Sequence, residues 1–106
     1  MELRKHPRRR TLLSGKLVFE AGARSIDCLI RDMSESGAKI RLPGPELLPS
    51  QLWLIEMSGG VAHQCHITWR HQQELGLEFE RSESLKGAVP ADLTALRRLW
   101  VANVLG

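Results

Sequence analysis

Arg4 and Arg8 stand four residues apart in the segment Arg4-Lys5-His6-Pro7-Arg8-Arg9-Arg10. A guanidinium presents a planar fork of donors that matches two phosphate oxygens or the O6/N7 edge of a guanine, and its flat face stacks on a base. Pro7 disfavours helix in this stretch, so it reads as extended or turned chain able to bring both arginines to one ligand. The second pattern is Asp32-Met33-Ser34-Glu35-Ser36-Gly37. A carboxylate at Asp32 can accept from the N1–H and N2–H₂ edge of guanine, with the Ser34 hydroxyl assisting. The two share a face if the strand carrying them runs that far. Gly37 permits a turn and close backbone approach. Taken singly, Asp-x-Ser-x-x-Gly is also an ordinary turn in which Asp and Ser satisfy nearby amides, and Arg-x-x-x-Arg arises readily in a basic arm.

Other chemistry is poorly represented. No Gly-x-Ser-x-Gly, P-loop or His-Glu-x-x-His pattern occurs, and no carboxylate pair stands out as an acid/base couple, so no enzyme is expected. The metal-like cluster is His63-Gln64-Cys65-His66. On a strand, His63 and Cys65 share a face while His66 points the other way, so the three cannot close on one ion, and no metal or cofactor is expected. Cys28 and Cys65 read as two buried free thiols of a reducing cytoplasm.

The elements that must position these groups follow from periodicity. With 106 residues, 42% hydrophobic and 25% charged, the chain suits one globular domain and not a disordered or low-complexity polymer. Its apolar runs are far too short to cross a membrane as a helix, and no apolar stretch and cleavage site follow the basic start, so no secretory signal is read. Residues 1–16 hold six basic side chains against Glu2 alone, whereas the whole chain carries +3, which describes a basic arm on a mildly acidic body. Six runs read as short strands: 11–19, 25–33, 38–42, 51–57, 61–70 and 74–80. Ile26, Cys28 and Ile30 alternate against Asp27 and Arg31. Ala38, Ile40 and Leu42 alternate against Lys39 and Arg41, and Leu75, Leu77 and Phe79 share a face. Ser58-Gly59-Gly60 reads as a hairpin turn. From Pro90 the period changes, and Leu93, Leu96, Leu99, Trp100 and Val104 mark an amphipathic helix lying on the strands. The expected architecture is a mainly β, six-stranded antiparallel barrel over residues 11–82, with a C-terminal helix over 88–105 and a flexible basic arm over 1–10.

In this order and spacing, Arg4 and Arg8 followed by Asp32, Ser34 and Gly37 resemble the PilZ family of bacterial second-messenger receptors. Ile67-Thr68-Trp69-Arg70 and Leu75-Gly76-Leu77-Glu78-Phe79 add to the similarity, which covers roughly residues 4–80. The resemblance implies a PilZ-like barrel that binds cyclic di-GMP without catalysing a reaction. Arg4 and Arg8 would contact phosphates and guanine edges, Asp32 and Ser34 would hold a guanine, and Gly37 would shape the turn. Lys5, Arg9 and Arg10 would add charge, and Trp69 would line the site. Leu3 stands where many members carry a further arginine, so the ligand count, one molecule or an intercalated pair, stays open.

With no output domain of its own in this sequence, such a receptor would signal through a downstream protein by ordering its arm. The outputs typical of the family are motility and biofilm formation. The protein would be cytoplasmic, a monomer or weak homodimer, without membrane insertion. Two other readings stay open. One is a PilZ-like adaptor that binds protein and no nucleotide. The other is a small barrel using its arm on nucleic acid, which is not expected, because the chain lacks tyrosine and has few aromatics for stacking.

Overall fold

The computed structural model describes residues 9–105, with side chains from Leu12 to Val104. The six alternating runs form β1 (Arg9–Phe19), β2 (Arg24–Met33), β3 (Gly37–Arg41), β4 (Gln51–Glu56), β5 (Val61–His71) and β6 (Glu74–Ser84). All neighbours are antiparallel, and the sheet closes on itself in the order β1-β2-β3-β6-β5-β4. Closure satisfies the edges that an open sheet would leave unpaired. This is the six-stranded barrel expected from the alternation.

Two strands extend two or more residues beyond their sequence patterns. β1 begins at Arg9, because Arg9 and Arg10 find backbone partners in Met33 and Asp32. β6 continues beyond Glu80 to Ser84, where it pairs with the first residues of β5. Hydrogen-bonded partners, and not side-chain polarity, set these ends.

The barrel interior is filled by alternate residues of every strand, among them Leu17, Cys28, Ile30, Ile40, Leu54, Cys65 and Leu75. A second apolar cluster lies outside the barrel wall. Val18, Ile55 and Ala62 face outward from β1, β4 and β5, joined by Met57 just past β4, where water would otherwise meet them. After Pro90, a short 3-10 turn (Ala91–Leu93) leads into helix α1 (Thr94–Leu105), and Leu93 and Leu96, with Leu99 and Trp100, cover that wall. The Trp100 indole N–H donates to the Met57 carbonyl at 2.8 Å, which fixes the helix at its middle. No helix among the described residues is long and apolar enough to cross a membrane.

Candidate ligand-binding site

Asp32 and Trp69 reach the outer surface because of two β-bulges. Ile30 pairs with Ile40 but Asp32 pairs with Lys39, so Arg31 is an extra residue on β2. Unbroken alternation would set Asp32 opposite Ala38, on the inner side with Ile30. The inserted residue turns Asp32 outward and sends Met33 inward against Ala38, where both are buried. β5 uses the same device. Ile67 pairs with Leu77 and Trp69 with Gly76, leaving Thr68 as the extra residue. Without it Trp69 would oppose Leu75 in the core; with it the indole lies outside, 39% exposed. The ring is therefore a surface feature and not a core tryptophan.

The two bulges line up across the sheet. Arg10 pairs with Asp32, Asp32 with Lys39, Lys39 with Gly76 and Gly76 with Trp69, a row that crosses five strands. Neighbouring strands lie about 4.8 Å apart, so Asp32 and Trp69 are separated by about 14 Å along this row. Lys39 Nζ lies 3.5 Å from Asp32 Oδ2, and both side chains are partly buried. Gly76 leaves a gap that the Trp69 indole fills; a Cβ there would run into the ring. The Thr68 hydroxyl donates to the Gly76 carbonyl at 3.2 Å and braces the bulge. The row thus offers a carboxylate, an ammonium and an aromatic face on one surface. A planar heterocycle with a donor edge and an anionic group would find partners for each part.

The turn that follows Asp32 is tied to β6. The Ser34 amide donates to the Gly37 carbonyl at 2.9 Å, and the Phe79 amide donates to the Ser36 carbonyl at 2.8 Å. Gly37 sits so close to β6 that a Cβ would collide with the Leu77 carbonyl oxygen, so only glycine fits this pairing. Ser34 departs from the simplest expectation. β2 ends at Met33, so the strand does not run as far as Ser34, the condition on which the two would share a face. Its hydroxyl accepts from the Ser36 amide at 3.2 Å and lies 3.2 Å from the Ser36 hydroxyl. In this structure Ser34 shapes the turn, and Asp32 is the motif side chain on the row.

Of the remaining expected site residues, Arg4, Lys5 and Arg8 lie outside the described residues. Arg9 and Arg10 belong to β1, where the description covers their backbone alone. Sequence reading missed Lys39 and Gly76. Alternation had already set Lys39 opposite Ile40, but only the register puts it beside Asp32. A glycine between Leu75 and Leu77 is the usual mark of a close approach within a strand.

The histidine–cysteine cluster separates as its spacing required. His63 and Cys65 point inward, and His66 points outward, 3.5 Å from Glu78 and 3.7 Å from Glu80. Burial pushes the Cys65 thiol up to about 12, away from the thiolate a metal would need. His63 stacks on Phe79 with ring centroids 4.1 Å apart, and its Nδ1 lies 2.7 Å from the Ser82 hydroxyl. Burial lowers its pKa to about 4, so it is neutral at pH 7.

Comparison with known proteins adds to this geometry. The model of the PilZ domain matches residues 2–89. No curated protein matches the chain. Among solved structures, it is similar to the Bacillus subtilis inhibitor of motility, MotI/DgrA, with 16% identity and a TM-score of 0.60. The match covers 99% of this chain and 52% of that one, so this chain spans about half the length of its neighbour and shares its fold.

Proposed function

Because this chain belongs to the PilZ domain family, non-catalytic receptors and effectors of cyclic di-GMP, we propose that it binds cyclic di-GMP across the Asp32–Trp69 row and relays that event to a partner protein. The observation that carries the reading is the row itself. Two independent bulges bring a carboxylate and an indole to one outer surface. In this reading Asp32 accepts from a guanine edge, and Trp69 offers its face to a base. Lys39 approaches a phosphate or a purine carbonyl. Ser34 and Gly37 hold the turn that keeps Asp32 in place.

The arginines complete the site. Arg8 is bonded to Arg9, whose backbone pairs with Met33, one position from Asp32. Arg4 lies five residues before Arg9, a span of at most about 17 Å, comparable with the length of the row. Arg4 and Arg8 can therefore close on a ligand seated there, with Lys5, Arg9 and Arg10 adding positive charge. Ligand capture then orders the arm against the barrel, and the new surface is what a partner reads. The buried free thiols Cys28 and Cys65 suit a cytoplasmic site of action. An output in motility or biofilm control is in keeping with a structural neighbour named as an inhibitor of motility.

Calorimetric titration with cyclic di-GMP, using GTP and cyclic GMP as controls, tests the reading and returns affinity and stoichiometry together. Arg8→Ala should weaken binding tenfold to about a hundredfold, the loss of a charged fork. Lys16→Ala should not, because Lys16 is mid-strand and engaged with Asp27 at 2.6 Å. No heat with cyclic di-GMP, or equal losses in the two variants, would refute it.

A further inference from the structure

The helix α1 has a second face. Its buried side, Leu96, Leu99 and Trp100, meets the barrel wall. About 180° around the helix, at 100° per residue, lie Thr94, Arg98 and Val101. The segment after β6 runs alongside this outer face, and a groove of about 470 Å³ lies between them, bordered by Ala88 and Val89 on one side and Arg97, Arg98 and Val101 on the other. Lys86 is exposed and directly precedes Gly87, one of the residues lining the groove.

The charge of this groove is one-sided. No carboxylate lines it, and among the described residues Lys86, Arg97 and Arg98 take part in no ion pair. Asp92, two residues before Thr94 of the groove lining, is held by Arg81 at 2.8 Å. Arg97 is fixed in place, because its Nε donates to the Leu85 carbonyl at 3.1 Å; its outer nitrogens are left for another acceptor. Val89 and Val101 supply half-buried apolar floor between the cations.

We propose that this groove docks an acidic, amphipathic segment of a partner protein. Carboxylates would meet Lys86, Arg97 and Arg98, and an apolar side chain such as leucine would settle between Val89 and Val101. A membrane surface is the poorer match, since lipid-binding basic clusters hold about four to eight Lys and Arg. Nucleic acid is poorer still, because no aromatic ring lines the groove. Docking here requires no nucleotide, so it stands or falls separately from the row at Asp32.

The test uses the full chain, isotopically labelled, and a short synthetic helical peptide with leucines along one face and glutamates along the other. The peptide should shift the amide resonances of Val89, Arg98 and Val101 with and without cyclic di-GMP. The double variant Lys86→Glu/Arg98→Glu should bind it about tenfold or more weakly, with an unchanged melting temperature. The same peptide with glutamine in place of glutamate should fail to bind. Shifts centred elsewhere, equal binding of the glutamine peptide, or an unaltered double variant would overturn the proposal. So would binding to phosphatidylglycerol vesicles without peptide binding, or self-association that the double variant abolishes.

Discussion

The barrel has two outer walls built to opposite plans. On one, β1 from Leu13 onward, β4 and the start of β5 pair without a break with their neighbours on this wall, and their outward residues Val18, Ile55 and Ala62 are apolar. Helix α1 covers that wall, and Trp100 is pinned by its hydrogen bond to Met57. On the other wall, β2 and β5 each carry a bulge, the outward residues are Asp32 and Lys39, and Trp69 lies open on a glycine. Regular strands with apolar outward residues make a docking bed for the chain's own helix. Bulged strands with polar outward residues make a surface kept for something else. The same barrel therefore stores stability on one side and, in the reading proposed above, binding chemistry on the other.

That division can be broken or sharpened by substitution. The largest effect is expected on the covered wall. Leu93 is fully buried there, and Leu93→Ala should cost about 2–5 kcal/mol in chemical unfolding. Cyclic di-GMP affinity per folded molecule should not change. A parallel loss of affinity would show that the walls are coupled.

His63 lies between the two regions, stacked on Phe79 and paired in register with Leu54. Its pKa is lowered from 6.5 to about 4 by burial. Between those values the unfolded chain binds more protons than the folded one. This contribution is therefore complete above about pH 6.5 and is lost as pH falls toward 4, by about 3 kcal/mol. Urea unfolding across that range, beside the same series for His63→Phe, isolates the effect. Identical pH profiles for the two proteins would remove His63 as the cause.

On the open wall the expected order reverses. Asp32→Ala should reduce cyclic di-GMP affinity by about 1.5–3 kcal/mol, the value of a hydrogen bond to a charged group. It should change stability by less than about 1 kcal/mol, since the partly exposed pair with Lys39 is worth little. Asp32→Asn, which keeps an acceptor oxygen, should bind between the two. A fall in melting temperature with affinity intact would make Asp32 a turn residue and no more. The smallest effect belongs to Trp69→Ala. One face of its ring already rests on Gly76, so the loss should lie near the lower end of the about 1–3 kcal/mol typical of base stacking. Quenching of indole fluorescence by cyclic di-GMP, absent in the variant, would place the ligand on this ring.

Much of this was legible without coordinates. Period-two alternation of Ala38, Ile40 and Leu42 gave β3 and its inward face, and all three are buried. The shift to helical spacing after Pro90 gave the helical tail and its packed residues Leu93, Leu96, Leu99 and Trp100, but not Val104, which lies past the covered wall and is 59% exposed. The separation of His66 from His63 and Cys65 followed from the same rule. Alternation fails at the site. Continued from Ile26, Cys28 and Ile30, it carries Asp32 into the barrel, yet Asp32 faces out. It likewise leaves Ser34 on a strand that has already ended.

The physical reason is a difference in range. Alternation, turn glycines, the change of period at Pro90 and the basic composition of residues 1–16 are local properties, and the sequence by itself determined six strands, the inner faces of their regular stretches, the helix and the pair of motifs. A bulge is a mismatch between two strands, and neither strand records it alone. Arg31 becomes an extra residue only against β3, and Thr68 only against β6. Each one-residue shift moves every later side chain to the opposite face. The tertiary pairing therefore decided that Asp32, Lys39 and Trp69 share one outer row, and that Gly76, remote from Trp69 in role but beside it in space, is the floor on which the indole lies.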